Sequence, residues 1–484
     1  MVSTSTLQQP PPAERGVFCN RTLNLRAIRA IGYDMDYTLI HYKVDEWERR
    51  AYAYLQRKLE ELGWPVSGLD YQPELTMRGL IIDRDLGNLV KADRFGYVKR
   101  ACHGTRPLTF DEQKQTYART TVDLADPRWI FLNTFFSLSE ACLYAQLVDR
   151  LDAERFAVLG YAELYGMVNR SLDETHAEGR LKQEIIERPE RYVDLDPEVP
   201  RTLLDQKDSG KSLLLITNSE WPYTQAMMRY CFDPFLPGDM TWQDLFELVI
   251  VLARKPEFFA HRNPAFEVVD DAGLMRSFTG RLDRGRVFVG GHAALVEEHL
   301  GLSGAEILFV GDHLYTDVRV SKDILRWRTA LMVRELEEEI TQQVASAEIQ
   351  ERLDALMRRK EALEFEQAQL RLVLQRRQHA GPTAGRAPSL SKPLNDLRRQ
   401  MDRLDEQIGP LAGKLGELFN PIWGPLMRTG SDKSHLARQV ESYADVYTSR
   451  VSNFLYQTPF AYLRSPRGSL PHDPGVHAAV TSDV

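Results

Sequence analysis

Short apolar runs that end in acidic or polar residues recur along the chain. Leu25–Ile31 leads into Gly32-Tyr33-Asp34-Met35-Asp36-Tyr37-Thr38-Leu39, and a helical pattern follows from about Asp45 to Leu62. Ser212–Ile216 ends at Thr217-Asn218-Ser219, Phe246–Leu252 near Arg254-Lys255-Pro256, and Ile307–Val310 at Gly311-Asp312-His313. Thr329–Val333 is the last such run expected. Continuous apolar runs separated by helical stretches predict a parallel sheet covered on both faces. Residues 78–104 read as a small meander, with Asp85-Leu86-Gly87-Asn88 and Asp93-Arg94-Phe95-Gly96 as its turns. Residues 134–185 read as mostly helical. Farther on, Ile349, Leu353, Leu356, Leu363, Leu370 and Leu374 hold heptad positions, interrupted by Lys360 and Gln367. Leu394, Leu397, Met401, Leu404, Ile408 and Leu411 step by three and four. The Gly/Pro-rich His379–Ser391 lies between them, so the pattern predicts an antiparallel helical hairpin, with a dimer seam as the alternative.

At 484 residues the chain is long enough for roughly three domains. A net charge of −8 gives no bulk attraction to nucleic acid or an anionic membrane. No apolar run approaches the ~20 residues that span a bilayer. Met1–Arg15 lacks a basic-then-apolar leader, so a flexible tail and a cytoplasmic protein are expected. The four cysteines are widely spaced, which argues against both a disulfide framework and a zinc knuckle.

The strand ends carry the chemistry. Residues two apart in extended chain share a face, so Asp34 and Asp36 are expected to point the same way beyond the first strand. Two adjacent carboxylates repel, and a divalent cation with all-oxygen ligation, Mg²⁺, would relieve them. By itself Asp34-x-Asp36-x-Thr38 reads more readily as a helix N-cap, with Asp36 or Thr38 satisfying free backbone N–H groups. Three later strand ends change that reading. Thr217 offers a hydroxyl, Lys255 a fixed positive charge, and Asp312 with Asp317 two carboxylates. A nucleophile, a hydroxyl, a lysine and an acidic pair are what phosphoryl transfer requires.

Asp34-Met35-Asp36-Tyr37-Thr38, Thr217-Asn218, Lys255 and Gly311-Asp312-His313-Leu314-Tyr315-Thr316-Asp317 resemble the four motifs of the haloacid dehalogenase (HAD) superfamily. Arg78-Gly79-Leu80, Gly87-Asn88-Leu89, Leu132-Asn133-Thr134, Ala253-Arg254-Lys255-Pro256 and Tyr443-Ala444-Asp445 resemble more narrowly the cytosolic purine 5'-nucleotidases of IMP/GMP-preferring type. The resemblance implies an α/β fold: a HAD-like Rossmannoid parallel-sheet core (21–45 plus 200–335), an inserted α+β cap (46–199) and a C-terminal helical hairpin with an extension (336–465). Flexible tails over 1–20 and 466–484 complete the expected organisation. It implies Mg²⁺-dependent hydrolysis of nucleoside 5'-monophosphates through an aspartyl-phosphate, with phosphotransfer as a companion activity.

Residue by residue, the resemblance makes Asp34 the nucleophile and Asp36 the acid and base. Mg²⁺ would sit on Asp34, the backbone carbonyl of Asp36, Asp312 and, through water or the second shell, Asp317. Thr217 and Lys255 would hold the phosphate, with Asn218 and Ser219 beside them among the substrate-binding residues. Phe136, Ser137, Asp173, His176 and Lys182 would contact the rest of the nucleotide. The chain departs from the family at Ser137, where an Asn is usual, and at Asn169, where an Arg is usual and Arg170 is the neighbouring cation. Both positions touch base recognition. Asn133, Tyr315, Gln439 and Tyr443 match the family's activation site, but Asp123 and Asp323 replace basic residues, so ATP activation is not implied. The expected partners are the nucleoside monophosphate and further copies of the chain, as dimer or tetramer, with no nucleic acid and no membrane. Two alternatives stay open: a phosphatase for another small phosphomonoester, and a catalytically weak scaffold.

Overall fold

The computed structural model describes residues 10–153, 160–271, 273–278, 280–379 and 390–468. The chain folds as two compact units, one running up to Glu338 and including Leu426–Pro466, the other Glu339–Pro425.

The first unit is built on a ten-stranded sheet. Its spatial order is Val17–Cys19, Val446–Thr448, Arg328–Met332, Ile307–Gly311, Ala30–Tyr33, Ser212–Ile216, Leu248–Val251, Val287–Gly290, Ala265–Val268, Met275–Phe278. The strands from Val446–Thr448 through Val287–Gly290 run parallel, and antiparallel strands flank them at both edges. Side chains alternate between two cores, as strand pleating demands. Ile31, Tyr33, Leu213, Leu215, Leu308 and Val310 enter one core, while Ala30, Leu214, Ile216, Ile307 and Phe309 enter the other. Ala30–Tyr33 is central and fully buried, so its carboxyl end opens at the middle of the sheet.

Between that strand and Ser212–Ile216 lies the insert. Its five-stranded antiparallel meander orders Arg106–Pro107, Val98–His103, Asn88–Ala92, Ile81–Asp83 and Trp129–Phe131. Helices Val44–Glu61, Leu138–Asp152, Tyr161–Ala177 and Arg180–Glu187 make up most of the rest.

Three expected boundaries move. The first strand starts at Ala30, because Leu25–Ala27 is a 3-10 turn capped by the Asn24 side chain. Val17–Cys19, expected within the tail, pairs with Val446–Thr448 as an edge strand. Thr329–Val333 is not the last strand either. Val446–Thr448 adds beside it in parallel, so Leu426–Pro466 belongs to the same compact unit as the sheet.

Asp445 holds that last strand in place. Its buried carboxylate lies 2.6 Å from Lys322 Nζ and 2.8 Å from Arg328 Nε, and accepts the Thr329 N–H at 3.0 Å. Burial pushes its pKa up, but Lys322 and Arg328 outweigh burial and hold it below the ordinary carboxylate value. A folded-state pKa below the unfolded one stabilises at neutral pH, and that stabilisation is lost as pH falls through about 4 and lower. Asp445→Ala is expected to cost about 3 kcal/mol at pH 7, by leaving two partly buried cations unpaired. Denaturant unfolding at pH 7 and pH 3 checks it: the gap between wild type and variant should shrink in acid.

In the second unit, Ala347–His379 and Ser391–Glu417 pack as an antiparallel pair. Their heptad positions are half-buried, Leu397 and Leu404 are buried, and Lys360 Nζ meets Asp405 Oδ1 at 2.6 Å. Residues 380–389 of the expected joint and 469–484 of the expected tail lie outside the described residues. No described helix is long and apolar enough to cross a membrane.

Candidate active site

Asp34 directly follows the central strand, and its N–H donates to the Val310 carbonyl at 2.9 Å. Strand alternation stops there. The N–H groups of Thr38, Leu39 and Ile40 all donate to the Met35 carbonyl, and Tyr37 takes a positive φ of 53°. The chain therefore turns after Met35 instead of extending. The two carboxylates find different partners. Asp34 Oδ1 lies 2.8 Å from Lys255 Nζ. Asp36 accepts hydrogen bonds from the Tyr42 hydroxyl and from Ser219 Oγ, the latter at 2.6 Å.

Lys255 also reaches Asp317 Oδ1 at 2.8 Å, so one ammonium bridges two carboxylates. The Asn218 side chain sets its place: Nδ2 donates to the Lys255 carbonyl at 3.1 Å, and Oδ1 accepts the Lys255 N–H at 2.7 Å. Asn218 thus braces the lysine's backbone. Thr217 and Ser219 are buried at the same strand end, and the Ser219 N–H donates to Thr217 Oγ1 at 3.1 Å. Asp317 stands on the Leu314–Arg319 turn, and its Oδ2 accepts the His313 N–H at 3.1 Å. Gly311 makes that approach possible, since a Cβ there would meet Asp317 Oδ2 at 2.4 Å.

Asp34, Asp312 and Asp317 each offer an oxygen within 4.8 Å of the others. Asp312 Oδ2 is buried and has no hydrogen-bond partner among the described residues. An acidic, all-oxygen donor set of this kind fits a hard divalent cation. The Asp36 carboxylate is held by Tyr42 and Ser219, which leaves its backbone carbonyl as the group expected to face the ion.

The electrostatics match this crowding. Burial pushes the Asp34 pKa up to about 6, although Lys255 opposes it. Burial, then Asp317 and Asp34, drives Asp312 well above the ordinary range. Burial also raises Asp36, against Lys182, Ser219 and Tyr42. For Lys255 burial works against the charge, but Asp317 and Asp34 prevail and its pKa rises.

Toward the insert, Phe136 on the Phe135–Ser137 turn is half-buried and packs edge-on to Tyr37 and Trp47, with centroids 4.9 and 5.5 Å away. Ser137 is half-buried beside it. Lys182 Nζ lies 2.8 Å from Glu220 and donates to Ser219 Oγ at 3.3 Å, which brings it to the Asp36 side. Asp173 is exposed on the Tyr161–Ala177 helix. On the same helix Asn169 Nδ2 donates to buried Glu140 Oε1 at 2.8 Å, while Arg170 is exposed. The His176 side chain lies outside the described residues. Among the activation-site positions, Tyr315 and Tyr443 both face the Arg319 guanidinium, at 5.5 and 5.0 Å, and Asp323 pairs with Arg319 at 3.6 Å.

Tyr42, Tyr223 and Arg78 are the site's unforeseen members. Tyr42 shares a 2.9 Å hydrogen bond with Tyr223 while donating to Asp36. No spacing rule marks a tyrosine for that task. Arg78 stood in a quoted motif without a role.

The sheet and its acidic carboxyl edge define the class, an α/β protein with its site at a topological switch point. The chain belongs to the 5' nucleotidase family, whose model matches residues 17–475, and is a hydrolase of 5'-nucleotidase type. A 5'-nucleotidase domain-containing protein of Dictyostelium discoideum is 28% identical over 466 residues, covering 94% of this chain and 74% of its own length. The human 5'-nucleotidase domain-containing protein 2 is 27% identical over 467 residues, covering 92% and 83%. Among solved structures, an archaeal beta-phosphoglucomutase from Pyrococcus sp. strain ST 04 matches with a TM-score of 0.29 and 12% identity, over 63% of this chain and 87% of its own.

Proposed function

We propose that the protein hydrolyses purine nucleoside 5'-monophosphates, of IMP or GMP type, with Mg²⁺ as cofactor. The observation that carries this reading is the separation of two neighbouring carboxylates into different settings, Asp34 on Lys255 and Asp36 on Ser219 and Tyr42. Environments that differ around paired acids are the usual sign of a nucleophile beside a proton donor.

In the first half-reaction an Asp34 carboxylate oxygen attacks phosphorus. The new Asp34–phosphorus bond forms as the bond to the 5' oxygen breaks, and the Asp36 carboxyl gives its proton to that oxygen. A raised Asp36 pKa suits a group that must hold the proton until then. In the second half-reaction Asp36, now a carboxylate, takes a proton from water. The water oxygen bonds to phosphorus, the Asp34–phosphorus bond breaks, and phosphate leaves. A nucleoside hydroxyl in place of water gives phosphotransfer. Lys255 and Thr217 would hold the phosphoryl oxygens in place throughout. Asp34, Asp312 and Asp317 would hold Mg²⁺, which when bound supplies charge neutralisation to the phosphoryl group.

The base would stack on Phe136. A second reading, a phosphatase for another small phosphomonoester, draws on Asn169, whose amide is engaged by Glu140 where a cation is usual in the family. Phosphate release from purine, pyrimidine, deoxy and sugar monophosphates, with and without Mg²⁺, decides between them. Phe136→Ala is expected to raise KM for IMP and GMP about tenfold, the worth of one stacked base. Its turnover of ribose 5-phosphate should not change. Equal wild-type efficiency on sugar phosphates and purine monophosphates would sink the nucleotide reading.

A further inference from the structure

Arg78 lies outside the catalytic set, on the turn that enters the meander strand Ile81–Asp83. Its side chain is only 2% exposed. Nη1 donates to the Asp312 carbonyl at 3.3 Å and to the Met332 carbonyl at 3.4 Å. Nη2 donates to the Met332 carbonyl at 3.4 Å and to Glu335 Oε2 at 2.7 Å. The guanidinium also sits 4.9 Å from the Phe135 ring, one residue before Phe136. Met332 and Asp312 mark the ends of the neighbouring strands Arg328–Met332 and Ile307–Gly311. One rigid fork therefore ties two adjacent strand ends together, on the peptide that carries a candidate metal carboxylate.

The charge and the shape of Arg78 can be told apart. Glu335 pairs with the guanidinium at 2.7 Å, so Arg78 brings both charge and position to Asp312, and only the fork is lost when another cation keeps the charge. Asp312 Oδ2 needs that help, because no hydrogen bond of its own holds it. Groups that orient metal ligands from behind typically govern metal affinity by ~10–100-fold.

We infer that Arg78 is a positioning residue for the divalent-cation site: its fork on the Asp312 and Met332 carbonyls sets the Asp312 carboxylate for the ion. The inference rests on the Mg²⁺ reading above. A lysine keeps the charge and loses the fork, so Arg78→Lys is the informative variant.

The experiment is calorimetric titration of Mg²⁺ into the full chain without substrate, for wild type and Arg78→Lys, with thermal unfolding alongside. The Mg²⁺ dissociation constant of Arg78→Lys is expected to rise about tenfold. With substrate, kcat should recover as Mg²⁺ is raised, and KM for the nucleotide should stay at the wild-type value. A merely structural arginine would lower the unfolding temperature and leave the Mg²⁺ affinity of the folded protein unchanged, and that result overturns the inference while the cation reading stands. Wild type that binds no Mg²⁺ overturns both. If Arg78→Lys does not fold, Arg78→Gln reads the same point, since it removes the fork together with a positive charge that by itself opposes the ion. Weaker Mg²⁺ binding supports the inference, and unchanged binding overturns it.

Discussion

Asp34→Asn should give a folded protein whose release of phosphate from nucleoside monophosphates falls by about 10⁴-fold or more, the scale of losing a covalent nucleophile. The amide has nearly the size of the carboxylate but cannot attack phosphorus. The fold should tolerate it for a physical reason. Asp34 is one of three carboxylates whose oxygens crowd within 4.8 Å, and burial already pushes its pKa up to about 6. Removing that charge lessens the repulsion, and Lys255 keeps Asp317 as its partner at 2.8 Å. Steady-state phosphate release with unfolding curves checks both halves. Turnover near wild type would show that Asp34 is not the nucleophile.

Lys255→Met should be the most damaging change to the resting protein. The ammonium is buried at 2% exposure between Asp34 and Asp317, and Asp312 stands in the same group. Taking one partner out of a buried ion cluster typically costs about 3–5 kcal/mol, because the charges left behind are unpaired in a low dielectric. Turnover should also fall by about 10²–10³-fold, the worth of one fixed stabilising group on a transferring phosphoryl. Mg²⁺ should restore part of the stability, since a cation among the carboxylates takes over the lost compensation. Urea unfolding with and without Mg²⁺ measures this. A variant as stable as wild type in the absence of metal would contradict the buried-cluster account.

Much of the site was legible because its residues sit where local patterns end. Ser212–Ile216 is a strand over the span its apolar run predicts, and Thr217 follows it directly. The heptad leucines of Ala347–His379 are likewise half-buried along one stripe of that helix, because a 3.6-residue period needs no long-range information. Other features escaped for the opposite reason. Val446–Thr448 is only three residues long, and nothing local distinguishes it from a loop. It becomes a strand because Arg328–Met332 on one side and Val17–Cys19 on the other complete its hydrogen bonds.

The sequence by itself determined which groups stand at the carboxyl edge of the sheet, since an apolar run and the polar residues after it are properties of a few consecutive positions. Tertiary structure alone decided what each group does there. It coiled the chain after Asp34 and sent Asp36 to Ser219 and Tyr42. It set Lys255 between Asp34 and Asp317, and brought Arg78 from the insert onto the Asp312 carbonyl. Apart from Tyr42, six positions from Asp36, those partners are separated by tens to hundreds of positions along the chain. Which of them meet is set by how whole strands and helices pack, and the residues beside each of them carry no record of it.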